Sequence, residues 1–268
     1  MNPTNSQPAN LNQLFQAAQD EGLLSTTSLQ ALNVQDIGAQ IQAGLGIAVD
    51  DVTASEVTLV TMMPDDSGSI RFSGNAQTVR AGHNTVLDAL LATQQKDNIL
   101  AHTRYLNGHV LYPYRPIAQA IRMNQQNYDP NKGTPLYDQT IVLLGTVLAK
   151  SQEFADNGVP VRTVTLIITD GSDQHSCNAT ANKVASLVED MLLAENHIIA
   201  AMGIDDGGNT DFHRVFKEMG IRDEWILTPG NNAKEIRQAF QLFSQSAVRV
   251  SQGAASFSQS SLGGFGNP

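Results

Sequence analysis

The sequence of 268 residues contains a single cysteine, Cys177. One cysteine cannot form an intramolecular disulfide, so a disulfide-stabilised fold is excluded. A chain without disulfides is typical of a reducing compartment. Residues 1–12 also lack a basic segment followed by an apolar run, the pattern of a secretion signal. We therefore expect a cytoplasmic protein.

Basic residues are scarce as well. The chain has 16 Lys and Arg against 26 Asp and Glu, a formal net charge of -10. Phosphate backbones and anionic lipid surfaces attract Lys and Arg, so this balance argues against nucleic acid and membranes as partners. No apolar stretch approaches the roughly 18 residues that a membrane-spanning helix needs.

Apolar runs and amphipathic segments alternate through the middle of the chain. Six runs have the pattern of strands: 57–63, 98–103, 109–112, 163–169, 198–204 and 225–227. Helical apolar spacing separates most of them, which favours parallel pairing. Only residues 104–108 join the second run to the third, and this gap predicts an antiparallel pair. The sequence thus predicts an α/β fold: a doubly wound, mostly parallel six-stranded sheet with one antiparallel edge strand and helices on both faces.

A short helical extension is expected before this domain. Residues 1–10 are rich in Asn, Pro, Ser and Gln and are predicted to be disordered. Apolar spacing predicts one helix within 11–24, with Gly22 as its stop, and a second over 28–43, closed by Gly44. The predicted organisation is an extension, a main domain and a disordered Ser/Gly/Gln-rich tail, at 1–50, 54–252 and 253–268.

Hydroxyl and carboxylate side chains cluster where predicted strands end. Asp65, Ser67 and Ser69 follow the first strand, and Asp170 follows the fourth. Thr134 stands just ahead of a predicted helix. Because open parallel sheets bind ligands at the carboxyl ends of their strands, these five side chains are expected to converge.

Five oxygen ligands, two of them carboxylates, form the donor set of a hard-cation site. We expect Mg²⁺ there, with Mn²⁺ or Ca²⁺ as alternatives. The donor set leaves one position for water or for an incoming carboxylate. Asp66, at the variable position of the motif, is expected to be a solvated neighbour that adds negative potential.

The order Asp-x-Ser-x-Ser, then Thr134, then Asp170 within Thr-Asp-Gly resembles the metal-ion-dependent adhesion site of the von Willebrand factor A family. The resemblance covers about residues 54–252. It implies a Rossmann-like sheet in the order 3-2-1-4-5-6. It also implies that the three hydroxyls contact the ion directly, Thr134 in one of two states, while Asp65 and Asp170 act largely through water.

The function implied by the resemblance is a non-enzymatic protein-binding module. Its cation would engage an Asp or Glu of a protein partner, in the assembly or regulation of an intracellular complex. Two alternatives stay open: a metal-dependent hydrolase, and a scaffold whose metal is only structural. A hydrolase needs a general base beside the ion, and no His or Glu stands in these loops at a suitable spacing. No Walker-type phosphate loop is present.

Two other polar segments have simpler interpretations. Asp173, His175 and Cys177 are predicted to be loop residues at the rim of the site rather than a second metal centre or a nucleophile. Residues 205–211 alternate acidic and amide side chains as a calcium loop does, but Phe216 stands where such a loop carries its bidentate Glu. A solvated turn is the preferred interpretation.

Overall fold

A single six-stranded sheet forms the centre of the computed structural model, which describes residues 11–33, 36–205, 207–252 and 263–265. The strand order is β3-β2-β1-β4-β5-β6. Only β3 is antiparallel to its neighbour. The strands are β1 Val57–Met63, β2 Ile99–Arg104, β3 Val110–Pro116, β4 Val161–Thr169, β5 His197–Gly203 and β6 Ile226–Leu227. The predicted α/β architecture and strand order are confirmed.

Helices cover both faces of the sheet. In the described residues they are α1 Leu11–Asp20, α2 Thr26–Leu32, α3 Ile37–Leu45, α4 Gly68–Phe72, α5 Ala76–Leu91, α6 Leu136–Asp156, α7 Ala181–Leu193, α8 Phe212–Glu218 and α9 Ala233–Gln252. Helix α5 packs along α9 on one face, and α6 packs along α7 on the other. The central strands β1 and β4 are buried along their whole length, because α6 and α9 both cover them. None of the described helices is long and apolar enough to cross a bilayer.

The extension packs on the main domain rather than projecting from it. Helix α2 contacts α7, and α3 contacts α6 and β3. The contact with α6 is close because Gly145 has no side chain: a Cβ there would lie 2.7 Å from side-chain atoms of both Leu32 and Ile41. Those two side chains are fully buried. The first helices therefore share the hydrophobic core of the sheet domain.

The prediction of one continuous helix over 28–43 is wrong, because the structure has two helices there. Helix α2 ends at Leu32, and α3 begins at Ile37 after Asp36, whose φ is 70°. A left-handed residue cannot continue a right-handed helix. Gly44 does not close the second helix but lies within it, against Thr146 and His102.

The chain leaving α3 is fixed to the domain by polar contacts. The Ile47 N–H donates to the carbonyl of Tyr114, over 2.9 Å. The buried Lys150 ammonium donates to the Ile47 carbonyl and to Glu153. Glu153 in turn accepts from the N–H of Val49, over 3.2 Å. Burial lowers the pKa of Lys150, and the Glu153 carboxylate offsets this by favouring its charged form.

Most of the predicted terminal disorder falls on residues 1–10, 253–262 and 266–268, which lie outside the described residues. The described part of the tail, residues 263–265, is not free of contacts: Phe265 packs against the hydrophobic core beside Trp225.

Acid is expected to destabilise the fold through the buried His197. Its ring is fully buried at the start of β5, and Nδ1 lies 2.8 Å from the Thr163 hydroxyl. Burial lowers the pKa of His197 from 6.5 to about 4. Between these values the unfolded chain binds a proton that the folded chain does not. The stability is therefore complete above pH 6.5 and is lost as the pH falls towards 4, by about 2 kcal/mol at pH 5 for this one residue.

The measurement is urea unfolding of the wild type and His197→Asn at pH 7.5 and pH 5. The slope of stability against pH should be shallower in the variant. Other buried groups are common to both proteins, so their contributions cancel in the comparison. Equal slopes would contradict the prediction.

Candidate metal centre

The loop after β1 is organised by the buried carboxylate of Asp65. One of its oxygens accepts the N–H of Ser67 over 2.7 Å, which closes a tight turn. The other accepts the hydroxyl of Thr169, at the end of β4, over 2.7 Å. Burial raises the pKa of Asp65, although these hydrogen bonds oppose the shift. Asp65 thus joins the loops that follow two adjacent strands.

Three oxygen atoms form a row beside this loop: the hydroxyl oxygens of Ser67 and Ser69 and one carboxylate oxygen of Asp170. The hydroxyl oxygens of Ser67 and Ser69 are 2.8 Å apart. The Ser69 hydroxyl donates to a carboxylate oxygen of Asp170 over 2.6 Å. The Ser67 hydroxyl comes from the loop after β1, the Ser69 hydroxyl from the first turn of α4, and the carboxylate from the loop after β4. The row therefore forms only when these segments fold together.

Thr134 reaches the same place through backbone pairing between two loops. The N–H of Gly68 donates to the carbonyl of Lys132 over 3.1 Å, and the N–H groups of Asn131 and Lys132 donate to the carbonyl of Asp66. This short ladder carries the chain across the β1 loop two residues before Thr134. Helix α6 then begins at Leu136.

Four of the five predicted ligands line one open cleft of about 310 Å³: Ser67, Ser69, Thr134 and Asp170. Asp65 is fully buried behind them. The structure therefore brings the predicted set together, with Asp65 holding the loops and contributing charge rather than lining the cleft.

The donor set fits a hard divalent cation. In an octahedral Mg²⁺ site with bonds of 2.0–2.1 Å, adjacent ligand oxygens are about 2.9 Å apart. The oxygens of Ser67, Ser69 and Asp170 have separations of 2.8 and 2.6 Å. Among the described residues, no three His, Cys, Asp or Glu side chains group in a way that could hold a metal. The hydroxyl-rich cleft is thus the candidate site in this part of the chain.

Asp66 differs from the expectation of a solvated side chain. It is buried, and its carboxylate accepts the N–H of Asn107 over 3.0 Å. Burial raises the pKa of Asp66 to about 7, and the neighbouring Asp65 carboxylate adds to the shift. The alternating pattern of the motif could not reveal this burial, because the covering residue comes from the β2–β3 turn.

His175 is an exposed loop residue that lines the cleft. Its Nδ1 accepts the N–H of Thr134 over 2.9 Å, and the N–H groups of Gln174 and His175 donate to the Thr134 carbonyl. The backbone N–H and the carbonyl of Thr134 are thereby both hydrogen-bonded to the loop after β4. Cys177 is exposed and lies outside the cleft lining.

Hydrogen bonds also join the same loop to the first turn of α6. The Asp138 carboxylate accepts three backbone N–H groups, those of Cys177, Asn178 and Ala179, over 2.8, 3.0 and 2.6 Å. Asp173 accepts the N–H of Tyr137 over 3.2 Å. Asp138 thereby connects the start of α6, four residues after Thr134, to the loop that follows Asp170.

Asp138→Ala should loosen both the fold and the site. Three backbone donors lose their acceptor, so we expect the free energy of unfolding to fall by about 1–3 kcal/mol. Cation affinity should also fall, because the hydrogen bonds of Asp138 no longer hold the start of α6, and with it Thr134, against the loop after β4. Urea unfolding and calorimetric titration with Mg²⁺ measure the two effects. Asp156→Ala, which removes an exposed carboxylate at the other end of α6, is the matched control and should change neither.

The acidic loop at 205–211 uses its described carboxylates locally. Asp205 accepts the N–H of Gly207 over 2.8 Å. Asp211 caps α8 by accepting the N–H of Arg214 over 3.0 Å. These are turn and capping roles. The loop nevertheless borders the candidate site, because Gly208 and Thr210 line the cleft.

Comparison by sequence found no matching family model and no matching curated protein. Comparison of structures found chains with a similar fold, and three of them illustrate the group. The pilus adhesin SpaC from Lactobacillus rhamnosus GG is 12% identical with a TM-score of 0.54, over 74% of this chain and 30% of the adhesin. The vWF domain of the type V pili tip protein Mfa5 from Porphyromonas gingivalis is 12% identical with a TM-score of 0.52, over 76% of this chain and 99% of the domain. Proximal thread matrix protein 1 from the mussel byssus is 14% identical with a TM-score of 0.51, over 72% of this chain and 46% of that protein.

The chain thus spans less than half of the adhesin and of the thread protein, and almost all of the Mfa5 domain. Identities of 12–14% show a shared fold and leave function to be argued from the site. The mixed six-stranded sheet with one antiparallel strand and flanking helices matches the fold of these neighbours. The chain therefore has the fold of a von Willebrand factor A domain.

Proposed function

We propose that this chain is a protein-binding module that works through a divalent cation. Ser67, Ser69, Thr134 and Asp170 hold the ion in the cleft, and Asp65 adds negative charge from behind. Mg²⁺ is the proposed ion, with Mn²⁺ and Ca²⁺ as alternatives. The ion engages an Asp or Glu side chain of a partner protein.

One observation carries this proposal: the row of Ser67, Ser69 and Asp170 oxygens opens to solvent in a cleft of about 310 Å³. A purely structural ion would be enclosed by protein ligands. In an open cleft the outward coordination position is filled by water, which an incoming carboxylate can replace. Hydroxyl ligands carry no charge, so the ion keeps more of its positive charge for that carboxylate.

The fold neighbours are compatible with a binding role. One is a pilus adhesin and another is a domain of a pilus tip protein. A non-catalytic role is part of the proposal, by analogy with these neighbours. The cytoplasmic location and a part in the assembly or regulation of an intracellular complex belong to the same proposal, and they rest on the single cysteine.

Calorimetric titration of the pure protein with Mg²⁺, Mn²⁺ and Ca²⁺ tests the site first. Proteins captured from a cell extract in Mg²⁺ should then be released by a chelator and recaptured when Mg²⁺ is restored. Ser69→Ala should lose both cation and partner. If no cation binds at roughly millimolar concentration, the proposal fails. A partner that binds equally well in chelator would favour a scaffold with a structural metal.

The hydrolase alternative gains one supporting observation, the position of His175 in the cleft wall. Its Nδ1 is already the acceptor of the Thr134 N–H, so that nitrogen cannot act as a base without breaking the loop contact. Turnover of an ester or phosphate substrate by the pure protein, lost in Asp170→Ala, would establish the alternative. We expect no turnover.

A further inference from the structure

A short segment of the tail, residues 263–265, contacts the domain although ten residues separate it from the preceding helix, α9. The N–H of Phe265 donates to the carbonyl of Glu224 over 3.0 Å. An Arg249 guanidinium nitrogen lies 3.4 Å from the carbonyl of Gly264. The backbone of the segment is thus bonded on both sides, to the Glu224 carbonyl before β6 and to the Arg249 side chain of α9.

The contact admits only glycine before the aromatic residue. Gly263 and Gly264 have φ of 62° and 78°, a region that residues with side chains rarely adopt. A Cβ on Gly264 would lie 2.4 Å from the Glu224 Cβ and 2.6 Å from the Glu224 carbonyl oxygen. Gly264 is buried in this position. Backbone conformation and lack of space therefore select the same residue independently.

The aromatic residue has its own specific contact. The Phe265 ring meets the indole of Trp225 edge to face, with centroids 5.1 Å apart and an interplanar angle of 75°. Trp225 is 1% exposed. Edge-to-face pairs of this geometry are favourable beyond the area that they bury.

We propose that Glu224, Trp225 and Arg249 form a peptide-binding site, the tail site, which is specific for a Gly-Gly-Phe segment and is occupied by residues 263–265 of the same chain. Each feature of the segment has a matching feature of the site: two left-handed glycines, one of them without room for a side chain, and a ring that packs on an indole. The tail site is independent of the cation cleft, and so is the proposal.

Trp225 is the single tryptophan of the chain and reports on the tail site directly. In the full-length protein, Phe265→Ala and Gly264→Ala should both shift its fluorescence emission to longer wavelength, because the indole gains contact with water. The matched control is Phe257→Ala, which removes the same ring elsewhere in the tail and should leave the emission unchanged. Circular dichroism identifies any loss of fold. Unchanged emission in the two tail-site variants, or an equal shift in the control, would overturn the proposal.

Specificity is tested with a labelled peptide of residues 261–268, Ser-Leu-Gly-Gly-Phe-Gly-Asn-Pro. Fluorescence anisotropy should show saturable binding to the full-length Phe265→Ala protein. Binding to the wild type should be roughly tenfold weaker or more, because the tethered tail competes at high effective concentration. Peptides with Ala in place of Gly264 or Phe265 should not bind. Failure of the native peptide to bind, or equal binding of the three peptides, would show that no such site exists.

Discussion

Asp170→Asn is expected to lower the affinity for Mg²⁺ on the order of 100-fold or more. The substitution keeps the shape of the side chain and an oxygen that can accept the Ser69 hydroxyl, so the loop geometry is preserved. It removes one of the two carboxylate charges that compensate the ion at the cleft. Calorimetric titration measures the affinity, and the shift of thermal unfolding by Mg²⁺ should disappear with it.

Asp173→Asn is the matched control for this experiment. It makes the same change in net charge three residues further along the loop, at a carboxylate that accepts the Tyr137 N–H and lies outside the oxygen row. Its effect on affinity should be much smaller than that of Asp170→Asn. Equal effects would mean that the ion responds to the general charge of the loop, and the ligand assignment would be wrong.

Gly46→Ala is expected to destabilise the protein by about 3 kcal/mol or more. Gly46 ends α3 with φ of 64°, which is strained for alanine. The new Cβ would lie 2.0 Å from the carbonyl oxygen and 2.7 Å from the nitrogen of Tyr114 in β3. Those atoms belong to the backbone of the sheet, so the conflict is relieved only if the extension moves away.

Gly22→Ala separates the clash from the backbone strain. Gly22 has φ of 76°, but a Cβ there would meet nothing within 4 Å. Its cost should be the conformational one alone, about 1–2 kcal/mol. Urea unfolding of the two variants compares them directly. If Gly46→Ala costs no more than Gly22→Ala, the close contact between the extension and β3 does not contribute to stability.

The strands and the cation cleft could be predicted because their information is local. The apolar run at 57–63 coincides with β1, and the carboxyl ends of parallel strands meet at one edge of a sheet. Asp65, Ser67 and Ser69 therefore had a predictable neighbour in Asp170. Thr134 was predicted from its position just ahead of a helix, and in the structure the backbone pairing at Lys132 brings it there.

The remaining features depend on contacts between distant parts of the chain. Helical spacing in the extension indicates that a face is buried, but it does not indicate that Gly145 receives it. Neither the burial of Asp66 by the β2–β3 turn nor the bond from Thr134 to His175 has a local pattern. Asp138 has the appearance of an ordinary acidic residue in a first helical turn, although it accepts three N–H groups of another loop.

The hydrogen bond from the Ile47 N–H to the Tyr114 carbonyl also affects which backbone groups the edge of the sheet exposes to other molecules. Strand β3 is a terminal strand, and such strands carry unpaired N–H and carbonyl groups that can recruit a strand from another chain. Ile47 takes up one of these carbonyls, and Gly46 lies against the same peptide. Removal of the first fifty residues would expose this edge of the sheet, and β3 of one molecule would then be open to pairing with a strand of another copy. We therefore expect the extension to limit the pairing of β3 with strands of other molecules.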